Sequence, residues 1–146
     1  MRLYTVGFTR KRAETLFELL RKHSIQRLVD IRLNPGGQLA GFAKKDDLPY
    51  FLSKLADGCR YVHLPELAPT KEILRAFRAD SDWPGYAARF EALMNERGIP
   101  GALDRQEFET TVSCLLCSEP TAEKCHRRLV AERIASQWDG FEVLHL

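Results

Sequence analysis

Short apolar runs alternate along this chain with longer amphipathic ones. The segments RLYTVGF (2–8), RLVDIR (27–32), CRYVHL (59–64), ETTVSCLLC (109–117) and FEVLHL (141–146) are rich in β-branched, aromatic and other apolar residues and predict strands. RAETLFELLRKH (12–23) gathers Leu16, Phe17, Leu19 and Leu20 on one side and predicts a helix. LPYFLSKLADG (48–58) suits a helix closed by Gly58. TKEILRAFRA (70–79) and PGYAARFEALMNERG (84–98) predict two more, the second opened by Pro84 and closed by Gly98. AEKCHRRLVAERIASQW (122–138) carries a stripe of Leu129, Val130, Ile134 and Trp138 and predicts the last helix. LNPGGQLAGFAKK (33–45) reads as an irregular Gly-rich loop.

Strands alternating with helices imply βαβ units. The near-continuous apolar runs RLVDI and VSCLL fit strands covered on both faces. The expected fold is therefore a three-layer α/β sandwich, Rossmann-like, with a mostly parallel sheet of about five strands in a single domain over residues 1–146. Such sheets bind ligands beyond the carboxyl ends of their strands, at the switch in strand order. That rule singles out Gly7, Phe8 and Thr9, then Asp30 and Arg32, then His63 and Glu66, then Cys117 and Glu119.

Composition narrows the function classes. A net charge of +2 over 146 residues is too small to indicate a nucleic-acid binder by itself. No apolar run approaches the roughly 18 residues that cross a bilayer, and the N-terminal MRLYTVGFTRKR lacks the long apolar core of an export signal. The cytosol is the expected location, with no membrane partner. Reduced thiols are expected there, so the four cysteines do not imply a disulfide framework.

Three cysteines and a histidine crowd the stretch CLLCSEPTAEKCHRRL (114–129). A closed zinc knuckle fits poorly, because Cys114 and Cys117 stand three apart on one strand and point to opposite faces, and Cys125 and His126 are adjacent. A thiol site needs only Cys117, ending a strand, and Cys125, opening a helix beside His126 and Arg127. A helix N-terminus with a neighbouring Arg and His lowers a thiol pKa, so the two could act as nucleophile and resolving thiol, or as ligands of a catalytic metal with His126 or Glu119. Cys114 and Cys59 read as core residues. A cysteine-phosphatase loop is excluded: the sixth positions after Cys114, Cys117 and Cys125 are Pro120, Glu123 and Ala131, none of them Arg.

Asp30 and Arg32, two apart at the end of a buried run, must be paired or used. Either Asp30 pins the loop, or it orients Arg32 to bind a substrate anion, with Arg127 or Arg128 completing a clamp. His63 and Glu66, flanking Pro65, offer an acid and a base or a structural turn. Arg10, Lys11, Arg12, Lys44, Lys45, Arg127 and Arg128, with Phe8, Phe42 and Tyr50, offer a basic rim with stacking faces for nucleic acid.

TVGFT, LVDIRLNP, YVHLPELA, LLCSEPTAEKCHRRLVAERI and the terminal VLHL together resemble the family of domain of unknown function 488, over essentially the whole chain. The resemblance implies functional interest at Gly7, Asp30, Arg32, Pro35, His63, Leu64, Pro65, Glu66, Cys117, Glu119, Cys125, His126 and Arg127. It implies positions and names neither a reaction nor a cofactor. The family often has Gly-His-Ser where this chain has Gly7-Phe8-Thr9. The layout of LVDIR and the later Cys-loop-Arg segment also looks like that of rhodanese-type sulfurtransferases, at the level of fold only.

Three functions follow as expectations. The first is a thiol-dependent enzyme. Cys125 or Cys117 is its thiolate, Glu66, Glu119 and His126 are candidates for proton transfer, and Gly7, Thr9, Asp30, Arg32, Pro35, His63 and Arg127 line the place of an anionic substrate. The second is a Cys/His metal site, and the third a nucleic-acid-binding module.

Overall fold

The computed structural model describes residues 1–37 and 41–146; part of the Gly-rich loop, 38–40, lies outside the described residues. Five strands form one sheet: β1 (Arg2–Gly7), β2 (Arg27–Asp30), β3 (Arg60–His63), β4 (Ser113–Cys117) and β5 (Glu142–His145). Their order is β3-β2-β4-β1-β5 and every pairing is parallel. The fold is α/β, as the alternation of periods predicts, with the sheet parallel throughout.

Helices cover both faces. α1 (Ala13–Lys22) and α2 (Leu48–Leu55) bury Leu16, Phe17, Leu20, Leu48 and Leu52 against Tyr4, Val6, Leu28, Cys114 and Leu116. On the other face α4 (Trp83–Glu96) and α6 (His126–Gln137) bury Phe90, Met94, Val130 and Ile134 against Leu3, Val29 and Leu115. α3 (Lys71–Asp80) lies outside α4 and buries no residue completely, lending Ile73, Leu74 and Phe77 to the edge of that core. No helix among the described residues is long and apolar enough to cross a membrane.

Two elements differ from the expected ones. The run 109–117 is not all strand, because α5 (Arg105–Thr110) precedes β4. Asp104 caps α5 by accepting from the Glu107 amide, and Glu107 reaches the buried Arg27 at 3.5 Å while Phe108 lies under that guanidinium. The β-branched Thr110 and Thr111 mask a capping pattern that tertiary contacts then reward. The last helix starts at His126 rather than near 122. Cys125 is extended (φ −137°, ψ 138°), because the segment before it crosses the end of β1 and buries Ala122 instead of winding into a turn.

That crossing depends on Gly7. A Cβ there would stand 1.6 Å from the Glu119 carbonyl oxygen and 2.5 Å from Arg127 Nη1. Gly7 pairs with Cys117 in the β1–β4 ladder, which continues past both strands as Phe8 and Thr9 donate to the carbonyls of Cys117 and Ser118. Gly7→Ala should therefore displace the 118–125 crossing and cost about 1–3 kcal/mol, the range of overpacking a well-packed site. Chemical denaturation measures it, and a loss under about 1 kcal/mol, ordinary for a surface change, contradicts the close approach.

Candidate functional site: a thiol–imidazole cleft at the switch point

From β2 the chain goes on to β3 at one edge, and from the neighbouring β4 it goes on to β5 at the other. The carboxyl ends of β2 and β4 are thus the place where the connections part, and a cleft of about 270 Å³ opens there. Arg32 and Asn34 following β2, Cys117, Ser118 and Glu119 at the end of β4, Lys124, Cys125 and His126 at the start of α6, and Phe77, Arg78 and Tyr86 from α3 and α4 form its walls.

The centre of the cleft is a cluster of sulfur and imidazole. The sulfurs of Cys117 and Cys125 and a ring nitrogen of His126 lie within 4.8 Å of one another, and all three residues are buried. His126 Nδ1 is 3.5 Å from Cys117 Sγ, and Nε2 is 2.8 Å from the Ile31 carbonyl oxygen. A carbonyl only accepts, so Nε2 carries the proton and the Nδ1 lone pair of the neutral ring faces the thiol. The Cys125 thiol donates to Cys117, the amides of Glu119 and Ser118 point at the same sulfur, and the Arg127 charge adds to them; together they outweigh burial and hold the Cys117 pKa below the ordinary thiol value. Cys125 moves the other way, pushed up by the proton it shares with Cys117 and by burial. The stabilised thiolate thus sits at the strand end on Cys117, not at the helix start on Cys125, because the backbone amides converge on the former. Cys114 faces the opposite core and Cys59 is buried near β3; burial raises the thiol pKa of both, that of Cys59 to about 11.

Arg127 is not a ligand for substrate in this geometry. Its side chain is fully buried, donating to the Glu119 carbonyl at 2.5 Å and to Thr5 Oγ1 at 3.3 Å, with Cys125 Sγ 3.8 Å away. It spends its donors on the 118–125 crossing, and among the described residues no carboxylate lies within ion-pair distance of it. Thr5 in turn bonds His145 Nδ1 at 2.7 Å, giving that histidine a structural place. The Arg32–Arg127 clamp is not formed.

Asp30 and Arg32 make the other wall. Arg32 meets the fully buried Asp30 carboxylate with two parallel bonds, Nε to Oδ1 at 2.9 Å and Nη2 to Oδ2 at 2.7 Å, and its amide donates to Oδ1 at 3.1 Å. Tyr61 donates to Oδ2 at 2.7 Å, and burial together with that bond pushes the phenol pKa up. Arg32 Nη2 also donates to the Ala43 carbonyl, and its guanidinium lies 5.2 Å from the centre of the Phe8 ring. Phe8 is an apolar support for Arg32. Among the described residues Nη1 of Arg32 has no partner, and Arg32 lines the cleft.

The remaining expected site residues fall outside the cleft walls. His63 donates from Nε2 to the Arg32 carbonyl at 2.9 Å, holding the β2 exit. Glu66 sits in the short 3₁₀ turn Pro65–Leu67, where its carbonyl accepts from Arg97 at 2.7 Å. Pro35 is buried and its carbonyl accepts from the Lys45 amide, while Thr9 is exposed and binds Ser118 only through its backbone. The nucleic-acid rim is incomplete as well, since Phe8 and Arg127 are both buried.

Sequence reasoning missed Tyr86. It is 3% exposed, lines the cleft, and has no hydrogen-bond partner for its hydroxyl among the described residues. Burial, reinforced by the neighbouring Cys117 and Cys125 thiols, pushes its phenol pKa up. It reads as one more aromatic of a helix stripe, and only the packing of α4 against the strand ends brings it beside the sulfurs.

The fold and the cleft define an all-parallel α/β protein with a thiol–imidazole centre at its topological switch point. The chain belongs to the family described as domain of unknown function DUF488, whose model matches residues 12–134. No curated protein and no solved structure matches it.

The Asp30–Arg32 pair yields a stability prediction. Asp30→Asn leaves a buried guanidinium without its counter-charge and should cost about 3–5 kcal/mol, whereas Tyr61→Phe removes one bond to a charged group and should cost about 1.5–3 kcal/mol. Urea unfolding of both variants checks the order, and equal losses contradict it.

Proposed function

We propose that the protein is a thiol-dependent enzyme acting on an anionic substrate in this cleft, in a reducing, cytosolic setting that keeps its thiols free. The observation that carries the reading is the cluster of Cys117 Sγ, Cys125 Sγ and a His126 ring nitrogen within 4.8 Å of one another, with His126 Nδ1 3.5 Å from Cys117 Sγ. An unshared imidazole lone pair beside a depressed thiol is the arrangement of an activated nucleophile. Arg32, Arg78 and Lys124 on the walls favour a negatively charged substrate.

The chemistry balances as a two-stage transfer. The Cys117 proton passes to His126 Nδ1. The thiolate forms a bond to the electrophilic atom of the substrate, and the leaving group departs with the bonding pair and takes the proton from His126. Water then attacks the same atom, giving its proton to His126 or to the exposed Glu119 at the mouth, and the bond to sulfur breaks to restore the thiol.

Iodoacetamide labelling tests the thiol. The rate at Cys117 should reach its midpoint below the ordinary thiol pKa of about 8.5, because the folded value is depressed and the thiolate survives to lower pH. His126→Gln and Cys125→Ala, which removes the donor, should each move the midpoint up. A Cys117 that stays unlabelled, or titrates like a free thiol, sinks the reading.

A second reading is a divalent metal held by Cys117, Cys125 and His126. Its support is the mutual distance of the three ligand atoms, within 4.8 Å, and the Ile31 carbonyl that orients the imidazole from behind. Two thiolates, one imidazole and a fourth position toward a cleft form a donor set of catalytic zinc. Cobalt(II) titration should then give one equivalent with thiolate charge-transfer absorption, absent in Cys125→Ser, and labelling of Cys117 should fall. No such absorption discards the metal.

A further inference from the structure

The cleft continues into a second cavity of about 220 Å³ through shared walls at Leu33, Asn34, Leu74 and Arg78. Lys71, Arg75 and Arg78 line this shelf. They stand at i, i+4 and i+7 on α3, on one helix face and within about 10 Å of rise. All three are exposed, and among the described residues neither they nor Lys124 come within ion-pair distance of a carboxylate. Unpaired cations held together on one face repel one another, and an anion relieves that repulsion.

Beside the shelf the cleft is aromatic. Phe77 lies 4.9 Å from Tyr86 between ring centres, Trp83 stacks on Tyr86 at 5.3 Å, Tyr86 is parallel to Phe90 at 6.2 Å, and Phe90 lies 5.6 Å from His126. Phe77 and Tyr86 line the cleft, and the Tyr86 hydroxyl, for which no hydrogen bond is found among the described residues, is not one of the sealed, unpartnered polar atoms. A phenol at the cleft wall whose donor is free to meet a ligand suits a polar edge on an otherwise planar ring.

We propose that the site takes a planar heteroaromatic phosphate ester of nucleoside monophosphate size, its ring in the cleft against Phe77 and Tyr86 and its phosphate on Lys71, Arg75 and Arg78. This rests on the reading of the cleft as a substrate site and names the class of substrate, independently of what Cys117 does to it. The small cavities and the confinement of the cations to two turns of one helix favour a single nucleotide over a strand.

Calorimetric titration with adenosine 5′-monophosphate, adenosine and inorganic phosphate tests it in the full chain. The monophosphate should bind at least tenfold tighter than either part, and should slow labelling of Cys117 by iodoacetamide. Arg75→Gln/Arg78→Gln should weaken the monophosphate tenfold or more while leaving adenosine unchanged; Tyr86→Phe should weaken both the monophosphate and adenosine. The Gln pair lies on the surface, and its circular dichroism spectrum should match the parent, so weaker binding is not a loss of fold. A monophosphate no tighter than phosphate, or indifferent to the Gln pair, overturns the proposal. So does a single-stranded oligonucleotide that binds tighter than the monophosphate. A Cys117 that fails to label leaves the calorimetric result standing, so failure of the thiol chemistry and failure of the ligand assignment are told apart.

Discussion

The close passage of the 118–125 segment over the end of β1 is the constraint on which the site depends. Gly7 permits it, since any side chain would occupy the space of the Glu119 carbonyl. Arg127 holds it, burying a guanidinium to bind that same carbonyl. A buried charge is costly unless its donors are used, and here they are used to fix a loop. With Glu119 and Ser118 held, their amides face Cys117 Sγ, and Cys125 arrives beside it as the extended residue that caps α6. The electrostatics of the thiol are therefore a consequence of backbone placement.

The opposite wall is built by the same economy of polar groups. Asp30 is completely buried yet accepts from Arg32 twice through its side chain, from the Arg32 amide and from Tyr61. The carbonyls leaving β2 are shared out in turn: that of Ile31 to His126, that of Arg32 to His63. The imidazole that faces the thiol is thus oriented from the neighbouring strand, ninety-five residues away in the chain. Such cross-strand tethers link the two walls, so a change at β2 should be felt at the sulfur.

Much of this was legible in the chain. The alternation of strand and helix periods is strong because both faces of the sheet are covered, and it led to the layered fold. The rule that parallel sheets bind at their carboxyl ends then led to Arg32, Cys117 and Glu119, and the crowded cysteine stretch to Cys125 and His126, which all reach the cleft. The rule led equally to Gly7, Thr9, Asp30, His63 and Glu66, which do not line it. A strand end selects residues at the right height in the sheet but not the direction in which each side chain leaves the backbone. Tyr86 was illegible for the complementary reason: it belongs to a helix, and its nearness to the sulfurs arises from packing.

By itself the sequence determined the period of each element, the burial of the strands on both faces, the separation of Cys114 from Cys117 by strand alternation, and the gathering of thiol, imidazole and guanidinium at one end of the sheet. Only the tertiary structure decided which thiol is stabilised, because that depends on amide groups aimed by a loop crossing another strand. It alone decided that Arg127 serves the loop while Arg32 lines the cleft with no partner for Nη1 among the described residues, since hydrogen-bond partners far apart in the chain settle where each guanidinium lies. Local periodicity acts over a few residues; the electrostatics of a site are set by whatever the fold brings within a few ångströms.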